Sequence, residues 1–199
     1  MPAQKIALAA VLGGLTLFLW GVVSHMVLPL YNKSLHKFTD EESVTMAIVT
    51  NTPHSGTYFL PYEEELPAGA SAEQKKAREE KMKEQMEKGP MVFAHIRVGS
   101  FGSFGVHLAI ELLKDILSAL VVGLLLVNTQ QMSLRSRVAF VFGIAVAVVL
   151  ESTISEWNWY GAGTDYAFAV IFDLLVGWLL AGFVLAKVLS GGVPKATTA

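Results

Sequence analysis

The sequence predicts an all-α membrane protein, a four-transmembrane-helix bundle with a small α+β extracytoplasmic insertion between helices 1 and 2. Three observations predict it. Of 199 residues, 53% are hydrophobic and 16% charged, where a soluble domain carries nearer a quarter charged residues; the mean hydropathy is +0.49. The apolar residues gather in four long segments instead of spreading evenly, as membrane spans must. Most of the charge falls in one stretch, between the first and second segments. The net charge of -2 gives no reason to expect nucleic acid. The absence of cysteine excludes disulfides, thiolate metal sites, c-type haem attachment and cysteine nucleophiles.

Residues 6–30 run without a charge after Lys5. The run is longer than a secretory h-region of about 7–15 residues, and no small-x-small cleavage site follows. An uncleaved anchor is therefore expected over residues 1–30. The second segment is Phe104–Val127, the third residues 138–157 and the fourth residues 167–189. Short polar connections, 128–137 and 158–166, make these three antiparallel neighbours within a 104–190 membrane region. Residues 191–199 form a tail.

Orientation follows from lysine and arginine in short loops. Arg135 and Arg137 lie between the second and third segments, Lys5 precedes the first, and Lys187 and Lys195 end the last. All fall on one side, the expected cytoplasm. The other short loop has no basic residue but holds Trp157, Trp159, Tyr160 and Tyr166, aromatics suited to a membrane–water interface. Both termini are thus expected in the cytoplasm of a bacterial inner membrane, with residues 31–103 periplasmic.

Within 31–103, Thr39-Asp40-Glu41-Glu42 reads as a capping box before a short helix. Gly56–Leu60 and residues 91–98 read as strands bounded by Pro61 and Pro90. Ser71 opens a charged arm, residues 73–88, whose Glu79–Lys83 and Glu84–Lys88 spacings have the favourable i,i+4 order. The arm's acids and bases nearly cancel, so it reads as a solvated helical arm between paired strands. So few apolar positions in this insertion cannot bury much surface, and it is expected to lean on the helices or on a partner.

The chemistry is carried by intramembrane polar residues. His107, Glu111, Lys114, Asp115 and Ser118 fall within one stripe roughly 100° wide on the second helix. On the third, Ala139, Gly143, Ala147, Glu151 and Ser155 follow at four-residue steps; on the fourth, Ala169, Asp173, Gly177 and Ala181 do the same. Small residues at that spacing let helix backbones approach closely, so each face is expected to pack and to carry one carboxylate inward. On the first helix, Gly21 and His25 share a face. Glu111, Glu151 and Asp173 come out roughly 7–11 Å below the outer boundary, at about 1.5 Å per residue, while the inner half is almost wholly apolar. Four acids facing one lysine leave three alternatives: the cluster is wet, some carboxylates carry protons, or a cation binds. Interhelical pairing of Lys114 with Glu111 and Asp173 is the structural reading.

His25, His107, Glu111, Glu151 and Asp173 are the candidate metal ligands, being donor types that suit zinc or iron. They lack the Glu-x-x-His pairs of di-metal carboxylate bundles, and nothing in the sequence requires a cofactor. His36, His54 and His95 read as surface residues, Trp178 as packing, and residues 99–105 as a glycine-rich hinge without the lysine of a phosphate loop.

Trp20-Gly21 with Ser24 and Leu28-Pro29, Leu35-His36-Lys37-Phe38, and Gly56-x-Tyr58-x-x-Pro61 resemble a group of small bacterial inner-membrane proteins of unknown function. The resemblance implies the topology and a bacterial source, and no activity. No nucleophile–base pair stands out, so the expected role is non-enzymatic: an accessory, assembly or scaffold subunit. Its partners would be the bilayer and other membrane subunits or copies of itself. The alternative is a proton-, ion- or metal-binding or transport module using the outer-half carboxylates.

Overall fold

A computed structural model of the chain describes residues 2–129 and 131–190; the 191–199 tail and Lys195 lie outside them. The described elements are α1 (Ala3–Val22), a π-helical turn (Val23–Val27), α2 (Leu30–Ser34), α3 (Glu41–Asn51), β1 (Gly56–Leu60), α4 (Ala72–Lys88), β2 (Val92–Ile96), α5 (Phe104–Val127), α6 (Leu134–Glu151), α7 (Thr153–Trp159) and α8 (Thr164–Leu189). They fall into two compact units. One comprises Met1–His36, Gly102–Ser155 and Gly163–Ala199; the other Lys37–Phe101 and Glu156–Ala162.

Among the described residues three helices are long and apolar enough to cross a membrane: Ala3–Val27, Leu134–Trp159 and Thr164–Leu189. The second expected span, α5, is a 24-residue helix but carries Glu111, Lys114 and Asp115, and it is not among the three. α1 packs along both α5 and α8, and α6 packs along α8. Glycines set how closely. A Cβ at Gly14 would sit 2.5 Å from the Cα of Ile116, and one at Gly182 would sit 3.0 Å from Val141 Cγ1. Ala9, Ala119, Val122, Leu126, Val141, Leu185 and Leu189 form a buried apolar cluster, with Trp178 packed against it. It joins the start of α1 and α6 to the end of α5 and α8.

Two sequence expectations change here. The third segment starts earlier: Ser133 accepts a hydrogen bond from the Ser136 backbone N–H at 3.2 Å and caps α6, placing Arg135 and Arg137 inside the helix. The face of α6 that packs is also a different one. Its buried row is Arg137, Val141, Ala145 and Val149, whereas Ala139, Gly143, Ala147 and Glu151 are exposed and a Cβ at Gly143 would meet nothing within 4 Å. The guanidinium decides this rotation. Arg137 is 1% exposed, and it bonds the Ala186 carbonyl at 3.0 Å, the Leu126 carbonyl at 3.3 Å and the Thr129 hydroxyl at 3.3 Å. Leu126 and Ala186 lie in the last turns of α5 and α8, where carbonyls lack intrahelical partners and the helix dipoles favour a cation. On α8 the expected row holds, with Ala169, Gly177 and Ala181 buried.

In the second unit, β1 and β2 pair antiparallel with Gly56 opposite Ile96 and Leu60 opposite Val92. Phe93 packs against Phe59 and Tyr160, ring centroids 6.3 and 4.5 Å apart. The cap of α3 is Asp40, one residue later than the sequence suggested. Its carboxylate accepts from the Ser43 backbone N–H at 3.1 Å and the Ser43 hydroxyl at 2.5 Å, and those bonds hold its pKa below the usual range. Ser71 and Gln74 form a reciprocal capping box at the start of α4. Glu84 pairs with Lys88 at 2.6 Å as the spacing suggested, while Lys83 lies 3.9 Å from Glu87. Neither α3 nor α4 buries a residue.

Candidate functional site

The polar residues of the first unit form two sets. The first is built where α1 loses its regular winding. The π-helical turn is closed by the Leu28 N–H bonding the Val23 carbonyl at 2.9 Å, a local irregularity common near functional positions. Pro29 follows, and α2 brings Tyr31 back against α8. The Tyr31 hydroxyl donates to Asp173 Oδ2 at 2.9 Å. The His25 ring stacks on Tyr31, centroids 4.2 Å apart, with Nδ1 3.9 Å from the same carboxylate oxygen. That Nδ1 also lies 3.1 Å from the Gly21 carbonyl and 3.0 Å from the Ser24 hydroxyl.

From the other side the Trp20 indole donates to the main-chain carbonyl of Asp173 at 2.9 Å. Gly177 makes room for that ring: a Cβ there would come within 2.9 Å of Trp20 Cδ1. Tyr166 meets Tyr31 edge-on, centroids 6.1 Å apart. Burial, and then the adjacent Asp173 carboxylate, push the Tyr31 phenol well above its ordinary pKa. Asp173 Oδ1 is buried and has no hydrogen-bond partner.

The second set lies on α5. Lys114 bonds Glu111 and lies 3.3 Å from Asp115. Asp115 is buried, but Glu111 and Lys114 are exposed. His107, in the first turn of α5, is half-buried, and Glu151 is exposed at the end of α6. The ion-pair contacts therefore group Glu111, Lys114 and Asp115 with one another and Asp173 with His25, while Glu151 pairs with neither. Among the described residues, no group of three or more histidine, aspartate or glutamate side chains could hold a metal ion.

Sequence reasoning missed Tyr31, Trp20 and Arg137. The signal for Tyr31 was Leu28-Pro29, which ends the first helix and can fold the next turn back. The signal for Arg137 was Ser133 three residues before Ser136, a helix start that puts the arginine in the first turn instead of the loop. Trp20 has no local signal, because the Asp173 carbonyl it bonds and the space at Gly177 that admits it both lie on another helix.

Comparison with known families, curated proteins and solved structures found no match.

Proposed function

We propose that this chain is a non-enzymatic membrane subunit with an accessory, assembly or scaffold role in a complex of a bacterial inner membrane. In this reading α5 is the fourth span, both termini are cytoplasmic and residues 31–103 lie outside. Packing supports α5 as a span: it runs along α1 and α8, and the backbones approach closely at Gly14 and Ile116. The Glu111, Lys114 and Asp115 contacts offset part of the cost of placing charge there.

One observation carries the assembly role. Across the unit formed by Lys37–Phe101 and Glu156–Ala162, only Thr52 and Pro61 are buried among the described residues. Phe38, Met46, Val49, Tyr62, Phe101 and Trp159 remain exposed. A segment with so small a core needs a second surface to be held in one structure. The test is extraction of the full chain in mild detergent, followed by size measurement and limited proteolysis. A defined complex in which 31–103 resists protease supports the reading. A lone monomer with 31–103 equally resistant overturns it.

A second reading, proton or cation handling, is favoured by the buried, unpartnered Asp173 Oδ1. It requires pH-dependent ion movement in vesicles reconstituted with the chain, lost in Asp173→Asn. Equal movement in the variant would dismiss it.

A further inference from the structure

α5 buries Asp115, Ala119, Val122, Gly123 and Leu126 and leaves Ile110, Leu113, Leu117, Val121 and Leu124 exposed. An apolar row of that kind is satisfied by acyl chains and calls for no protein cover. The ion pair beside it does. The Glu111 and Lys114 side chains are 54% and 57% exposed, and they sit about 10 and 15 Å along the helix at about 1.5 Å per residue. Charged groups at that depth normally face protein or a water-filled cavity.

Their hydrogen-bonding capacity is incompletely used. Lys114 has three N–H donors; one serves Glu111 and one faces Asp115 at 3.3 Å, so one remains. Glu111 holds the lysine with Oε1, and its Oε2 remains. A spare donor on a cation and a spare acceptor on an anion, one turn apart on an outward face, are complementary to themselves. A twofold axis along the membrane normal sets each lysine against the other copy's glutamate.

We propose that α5 is the contact face between two copies of this chain, joined by reciprocal Lys114–Glu111 bonds. The proposal rests on the assembly reading and on α5 being a span, and it names the partner.

The chain contains no cysteine, so single cysteines can be placed in the full-length protein without background. Val121→Cys lies seven residues after Lys114 and so on the same side of α5, and Val148→Cys on the outward face of α6 serves as control. Oxidation in native membranes should cross-link Val121→Cys to a species of twice the chain mass and leave Val148→Cys monomeric. Adding Glu111→Lys, which sets like charges against each other, should lower the cross-linked fraction about tenfold or more. Lys114→Glu should do the same when combined with Asp115→Asn, which removes the buried acid that would otherwise lose its cation. Co-expressing the two charge variants should restore the cross-link, an outcome closed to variants that merely misfold.

Failure to restore it, undiminished cross-linking in Glu111→Lys, or equal cross-linking at Val148→Cys overturns the proposal. A cross-link to a protein of different mass also overturns it but leaves the assembly reading standing. A lone monomer in mild detergent in which 31–103 resists protease, with no cross-link at either position, overturns both.

Discussion

Among the described glycines, Gly14 has the least room for a Cβ. A Cβ there would lie 2.5 Å from the Cα and 2.7 Å from the amide nitrogen of Ile116. Both are backbone atoms, so no rotamer change relieves the overlap. Ordinary carbon contacts are about 3.5–4.0 Å, so Gly14→Ala must push α1 and α5 apart by roughly 1 Å. The displaced interface includes Ala9, Ala119, Val122 and Leu126. Overpacking of this kind costs about 1–3 kcal/mol, and alanine's better helix propensity returns at most about 1 kcal/mol. Any helical Gly→Ala change shares that gain, so against a glycine with free space the expected loss is about 1–3 kcal/mol, equivalent to about 2–12 °C in Tm for a chain of this size. Thermal unfolding of the full chain in mild detergent, followed by circular dichroism, measures it. Gly21→Ala is the matched control, because a Cβ there would meet nothing within 4 Å. If Gly14→Ala melts at or above Gly21→Ala, the α1–α5 contact is not as described.

Arg137→Met leaves the Ala186 carbonyl without its 3.0 Å donor in a buried position, an omission worth about 1–3 kcal/mol. Amide exchange in the last turn of α8 should accelerate, and unchanged exchange there would contradict the bonding. Tyr31 should ionise last of the five tyrosines in an absorbance titration, because burial and Asp173 raise its pKa. With the folded value above the unfolded one, its contribution to stability is complete below the ordinary phenol value of about 10 and declines as the pH rises past it. Tyr31→Phe should delete that last step; ionisation of all five near the ordinary value would contradict the geometry.

The helices themselves were legible because a span is written locally, in a run of apolar residues bounded by polar ones. β1 and the start of α4 were legible for similar reasons, alternation before Pro61 and a serine cap at Ser71. Rotation about a helix axis was not always so. On α8 the row of Ala169, Gly177 and Ala181 did mark the packed face, because Trp20 needs the space at Gly177. On α6 an equally regular row of small residues faces outward, because a single guanidinium at Arg137 has partners only on the opposite side. A pattern of sizes is a weaker determinant than a charge that must find acceptors. The candidate site was read as one cluster because Glu111, Glu151 and Asp173 lie at similar depth and the other polar residues fall in the same outer half. Depth can be counted along a sequence, but the azimuth that separates α5's ion pair from Asp173 cannot. Tyr31 escaped because it acts after the chain reverses at Pro29.

The guanidinium of Arg137 also bears on how the protein is made. Its acceptors belong to a helix synthesised before it, through Leu126, and to one synthesised after it, through Ala186. Until the ribosome has delivered α8, a nascent α6 carries a cation with half of its carbonyl cradle missing. That cation is held at the aqueous edge by the cost of entering lipid. The final depth of α6 is therefore fixed late, when the last helix arrives, and truncation before Ala186 should leave α6 accessible to water-soluble reagents near its start.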